Sequence, residues 1–183
     1  MKKLFGILFY LVIPFLAIAG KDADFKEILV KDNLGAYYYE AIVPVEGVSK
    51  EELFARAKKW SIGNLKSADN NILFDDKEYV IINTANLLLD KRSGFGWAMS
   101  DGALNFKINM DFKDGKYKIR IDNIILNITT LSSTAQINQS IKYDELRKNK
   151  AGNNVKKDVN EKIEALLNNL NEACAQAAKK SDW

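Results

Sequence analysis

Leu104-Asn105-Phe106-Lys107-Ile108-Asn109-Met110-Asp111-Phe112, Lys113-Asp114-Gly115-Lys116, then Tyr117-Lys118-Ile119-Arg120-Ile121-Asp122 is the stretch that decides the fold. Apolar residues at 104, 106, 108, 110 and 112 alternate with polar ones, the period-two pattern of a strand with one dry face. Asp114-Gly115 suits the positive φ angles of a type I′ turn. Pairing across that turn sets Phe112 opposite Tyr117, Met110 opposite Ile119 and Ile108 opposite Ile121. The same register faces Asp111 with Lys118 and Lys107 with Asp122, opposite charges on the second face. A slip of one residue would turn the apolar row to water, so the register is strongly specified.

Upstream, Tyr37–Val45 is rich in aromatic and β-branched residues and reads as a strand. Pro44 ends it or marks an edge. Ser49-Lys50-Glu51-Glu52 is a capping box, and Val48 with Leu53 forms its hydrophobic staple. Leu53, Ala57 and Trp60 follow at helical spacing, with Arg56, Lys58 and Lys59 expected in water and Gly63 as the stop. Ile72–Phe74 and Tyr79–Asn83 read as strands around the polar corner Asp75-Asp76-Lys77-Glu78. Leu87-Leu88-Leu89 lacks alternation and is ambiguous.

Downstream, Thr129–Ser140 is polar, either a loop or a weak edge strand, and Ala151–Asn154 breaks the chain. A final helix then carries Val155, Val159, Ile163, Leu166 and Leu170 on one stripe, with Asn154 as its expected N-cap. The whole is an α+β pattern in β-α-β4-α order. It predicts a curved, mostly antiparallel sheet with a capped N-terminal helix and a long C-terminal helix on one face.

Tyr39–Leu53, the Ala55–Trp60 helix, Ser67–Asn70, the Asp75–Glu78 corner and the Asp114-Gly115 hairpin together resemble a known family. It is the exported bacterial domain of unknown function with a TATA-binding-protein-like (TBP-like) fold. The resemblance covers roughly residues 37–126 of this chain. It implies a curved sheet with helices on the convex side and a Gram-negative, exported protein, and it implies no activity. The chain departs from the family pattern at Tyr79–Leu89, which is bulky and apolar where small residues and glycine are expected.

Lys2-Lys3, the apolar run Leu4–Ile18 and the small-x-small triplet Ala17-Ile18-Ala19 read as a signal peptide over residues 1–19, cleaved before Gly20. The run is short for a membrane span, so no stable membrane anchor is expected after cleavage. A loosely held lead-in over 20–36 would precede a single domain over 37–183, with a short strand near Ile28–Val30. The expected location is the periplasm or the extracellular space.

Composition narrows the chemistry. The chain has no histidine and a single cysteine, Cys174, which removes His-based triads, His-ligated zinc, Cys clusters and internal disulfides. Taking Lys2 and Lys3 from 27 basic residues leaves 25 against 24 acidic ones, a net charge of +1. Nucleic-acid binding needs a clustered positive excess, so no nucleic-acid partner is expected. No catalytic, metal or cofactor residues are assigned, and the protein is expected not to be an enzyme.

Seven residues remain as ligand-binding candidates: Tyr38, Phe95, Trp97, Asn105, Lys107, Asn109 and Arg120. Phe95 and Trp97 sit in Gly94-Phe95-Gly96-Trp97 and either grip a sugar ring or peptide or plug the end of the core. Tyr38 is either a ligand platform or an ordinary half-exposed strand tyrosine. The polar row of Asn105, Lys107, Asn109, Arg120 and Asp122 carries both signs, which suits a protein, peptide or glycan partner. Two other roles are weighed against this binding module. One is a carrier of an apolar small molecule between sheet and C-terminal helix, in helix-grip fashion. The other is a hydrolase using Asp75, Asp76 and Glu78, residues that are first of all turn formers.

Overall fold

The computed structural model describes residues 27–65, 72–95, 98–131 and 135–176, with side chains placed except at 90–95, 98–101 and 131. The expected signal peptide and its cleavage point lie outside the described residues. Seven strands form one sheet: β1 (Val30–Lys31), β2 (Tyr37–Pro44), β3 (Ile72–Asp75), β4 (Val80–Phe95), β5 (Ala98–Lys113), β6 (Lys116–Leu131) and β7 (Gln136–Lys142). Helices α1 (Lys50–Asn64) and α2 (Lys150–Ala175) cover one face. The order across the sheet is β1-β2-β6-β5-β4-β3, with β7 paired to the second half of β6 where β2 no longer reaches. All pairs are antiparallel, and the sheet is open and curved, as the α+β reading expected.

The hairpin holds in the expected register, including Phe112 opposite Tyr117, Asp111 opposite Lys118 and Lys107 opposite Asp122. Its inner row, Leu104 through Phe112 and Tyr117 through Ile121, is buried against the helices. Beyond Asp122 the inward parity of β6 changes to Ile124 and Leu126. A bulge causes this: two β6 residues, Asn123 and Ile124, stand where β5 has only Phe106, and Asn123 takes φ 52°. Asparagine tolerates that left-handed conformation, and the bulge bends the strand while keeping apolar side chains inward.

Ser49 caps α1 by accepting from the Glu52 N–H at 3.3 Å. The Glu52 carboxylate does not close the expected box; it accepts from Arg56 Nε at 2.8 Å. Arg56 is correspondingly not in water, since its Nη1 donates to the Cys174 carbonyl at 2.6 Å and ties α1 to the end of α2. The β5–β6 turn holds the start of α1, with Lys50 N–H donating to Asp114 Oδ1 and Gly115 N–H to the Val48 carbonyl, each at 2.9 Å.

Three expectations change. The ambiguous Leu87–Leu89 stretch is strand, because β4 extends from Val80 to Phe95 and pairs Leu87, Leu88 and Leu89 with Leu104, Ala103 and Gly102 of β5. The lead-in is held firmly from Ile28: Leu29 is buried in the core, and the Ile28 N–H donates to Asn160 Oδ1 at 2.8 Å. Helix α2 begins at Lys150 under an Asn149 cap, not at Asn154. Gly152, within the expected break, is required inside the helix, since a Cβ there would lie 1.8 Å from the Arg147 carbonyl oxygen.

Candidate functional site

With both helices on the inner face, the outer face of the sheet is built from the other parity of each strand. One unbroken cross-strand row runs Glu40, Arg120, Asn109, Ile82, Leu73 over β2, β6, β5, β4 and β3. A second runs Ile42, Lys118, Asp111, Val80, Asp75. The centre of the face is charged on β6, and its margins are mixed, with Glu40 and Ile42 on β2 and Leu73 and Asp75 on β3. Ile42 and Leu73, on opposite sides, are 65% and 58% exposed, and Leu88 further along β4 is 77% exposed.

Four of the candidates come together here. The Arg120 guanidinium lies 4.3 Å from the Tyr38 ring centroid, a cation–π stack. Arg120 also donates to Asp122 at 2.9 Å and to Glu40 at 3.3 Å, while Lys118 reaches Glu40 at 3.1 Å. The hydrogen bond from Lys118 holds the Glu40 carboxyl below the ordinary carboxylate range, and the bond to Asp122 holds Arg120 above its usual value. Asn109 faces Arg120, and Lys107 faces Asp122. The charges largely satisfy one another, so this cluster orders the surface rather than waiting for a small ion.

The other candidates are elsewhere. Asn105 lies further along β5 and accepts from Asn86 Nδ2 at 2.7 Å. Phe95 ends β4 opposite Ala98, more than ten residues from the Arg120 row, on the order of 30 Å along the sheet. Trp97 lies outside the described residues. Sequence reading missed Glu40 and Ile42, although Tyr38, Glu40 and Ile42 share a parity opposite to Ala41 and Val43. It also missed Leu73 and Ile82, whose strands carry apolar residues on both faces and so show no alternation.

Other places for chemistry are already committed. Asp75 Oδ1 accepts from the N–H groups of Lys77 and Glu78, each at 3.0 Å, and so builds the β3–β4 turn. A groove of about 700 Å³ between α1 and α2 includes Arg56, Lys59, Trp60 and Asn169 in its walls. Its Trp60 Nε1 donates to Asn169 at 2.6 Å. Cys174 is fully buried, and burial pushes its thiol up to about 11, the opposite of an activated nucleophile. Among the described residues, no group of three or more His, Cys, Asp or Glu is placed to hold a metal. No helix among them is long and apolar enough to cross a membrane.

A seven-stranded open antiparallel sheet with two helices on one face is the arrangement to compare with known proteins. The family model of DUF4468, a domain of unknown function with TBP-like fold, matches residues 39–127. Over those residues the chain is similar to that family. A crystal structure of a TBP-like protein from Parabacteroides distasonis ATCC 8503 is similar at TM-score 0.63 and 16% identity, over 85% of this chain and 98% of that one. A DUF4468 family protein from Bacteroides ovatus ATCC 8483 is similar at TM-score 0.59 and 15% identity, over 84% and 94%. At such identities the likeness shows the fold alone. None of the curated proteins matches the chain. The DUF4468 match spans β2 to the first part of β6, and so contains both outer-face rows.

Proposed function

We infer that this chain belongs among the DUF4468 proteins, is exported and acts as a non-catalytic binding module, docking a polypeptide partner on the open face of its sheet. The observation that carries the reading is the outer face itself. A self-paired charged centre is flanked by exposed Ile42 and Leu73, and no described element covers it. Exposed apolar positions beside ordered polar groups are the composition of a protein-docking patch, whereas scattered single apolar residues carry no such meaning. Mixed charge with a net near zero argues against nucleic acid.

Export rests on the positive, apolar and small-x-small pattern of residues 1–19. The absence of histidine and of paired cysteines supports a role without catalysis. The carrier alternative gains nothing from the interior, where Ile108, Met110, Ile119 and Ile163 fill the space between sheet and α2 with no exposure.

The test is capture from an envelope extract with the purified protein and with an Ile42→Glu/Leu73→Glu double variant. Both positions are exposed, so the fold is expected to persist. A partner retained by the parent and lost by the variant supports the reading; equal retention, or none by either, overturns it. Fractionation with N-terminal sequencing checks export. A chain starting at Gly20 outside the cytoplasm is expected, and an intact chain in the cytosol refutes it.

A further inference from the structure

We propose that β7 is a self-recognition edge, through which two copies of this chain join their sheets about a two-fold axis at Gln139. Exposed sheet edges are normally blunted by shortness, charge, proline or a bulge, because unpaired backbone groups recruit other strands. The outermost strands β1 and β3 follow that rule. Strand β1 is two residues long and ends on Lys31, and β3 has four residues and ends on Asp75. Beyond β3, β4 breaks register between Leu89 and Arg92, although Thr84–Leu89 before the break is also uncharged.

Strand β7 has none of these protections before its last residue. It pairs with β6 from Gln136 to Lys142 without a register shift, and no described strand pairs with its other side. Residues 123–141 contain no Asp, Glu, Lys or Arg, although 28% of the chain is charged. Proline is absent from that run as well.

The sequence of β7 also identifies the occupant. Ile137-Asn138-Gln139-Ser140-Ile141 has a near-palindromic chemistry about Gln139. Antiparallel pairing with a second copy sets Ile137 against the second copy's Ile141, and Ile141 against its Ile137. Ile137, 50% exposed in the single chain, then gains an apolar neighbour. On the other face Asn138 meets the second copy's Ser140. That repeats an Asn–Ser pairing the protein already uses, since Ser140 Oγ donates to Asn127 Oδ1 at 2.6 Å across β6 and β7. A single strand pair buries little area, so the association is weak and concentration-dependent. The proposal is independent of the outer-face reading, because joining edges leaves both outer faces open.

Sedimentation of the purified protein from roughly 10 µM to 1 mM tests it, over the range where a small interface associates. The mass is expected to rise from the one-chain value toward the two-chain value. Gln139→Lys and Gln139→Glu each place like charges face to face on the axis, and each is expected to remain a monomer. An equimolar mixture of the two is expected to regain the two-chain mass, which also shows that both variants fold. A wild-type monomer at every concentration overturns the proposal, as does undiminished dimerisation of Gln139→Lys or a mixture that stays monomeric. The Ile42→Glu/Leu73→Glu variant should keep the dimer, which separates this outcome from failure of the docking surface.

Discussion

The two halves of the three long strands behave differently although one sheet runs through both. Near the β5–β6 turn, inner positions such as Ile81, Ile108 and Ile119 have no exposure, because both helices lie over them. At the far end, Leu87, Leu89 and Ile128 are only half-buried, Leu88 is exposed, and side-chain hydrogen bonds between β6 and β7 come from Asn, Ser and Thr. The near half is stabilised by burial against a second layer. The far half rests on backbone pairing and small polar contacts, each worth much less. A sheet covered at one end and bare at the other offers edges and faces at the bare end without weakening its core.

The largest expected effect tests that contrast directly. Ile108→Ala, in the covered half, should lower unfolding free energy by about 4 kcal/mol, while Leu88→Ala should change it by less than about 0.5 kcal/mol. Urea unfolding of the two variants measures both, and similar losses would erase the distinction. Next comes the start of α2, whose Gly152 lies beside Ile128, Ile141 and Leu146 where the helical cover ends. Gly152→Ala should cost about 3 kcal/mol, since the added methyl cannot fit against the Arg147 carbonyl without backbone movement. Gly63→Ala, with nothing near its added Cβ, is the matched control.

Alkaline pH should weaken the covered half selectively. Burial raises Cys174 to about 11 from 9.0 and raises Tyr117 and Tyr143 above 10.0. The folded state therefore keeps protons that the unfolded chain gives up. The stability from Cys174 is whole below pH 9 and drains as pH rises toward 11, by about 2 kcal/mol. The tyrosines extend the loss to higher pH. Urea midpoints from pH 8 upward should fall accordingly, and Cys174→Ala should flatten the first part of the curve.

The smallest effect has the opposite sign. Asn83 is fully buried on β4 between Ile72 and Ile108, and neither side-chain polar atom has a hydrogen-bond partner among the described residues. Asn83→Val should raise stability by about 1 kcal/mol by removing an unpaired amide from an apolar layer. A loss of stability would show that the amide is satisfied.

Legibility in the sequence follows the same division. The β5–β6 hairpin was readable to the residue because one face is dry and the other wet, so burial writes a period of two into the chain. The α1 start was readable because Ser49 caps locally. Strand β4 was not: Leu87-Leu88-Leu89 faces half-covered space on one side and water on the other, so little selects polarity at either. Strand β7 reads equally as loop or edge strand, since an edge exposed on both faces has no apolar pattern to show. Of the candidate site, Lys107, Asn109 and Arg120 were placed on one face by parity. Tyr38, Glu40, Ile42, Leu73 and Ile82 needed the strand order, because they join that face from strands distant in sequence.

What the sequence determined alone is what local chemistry dictates: strand parity, the hairpin register, the α1 cap and the range of reactions left without imidazole or paired thiols. Which strands become neighbours, the bulge at Asn123 that resets parity, the helix running through Gly152 and the uncharged free edge of β7 were decided only by tertiary structure. Local patterns record whether a residue meets water, and that is a property of its own neighbourhood. Adjacency across a sheet depends on how separate segments share a core, and no single segment encodes it.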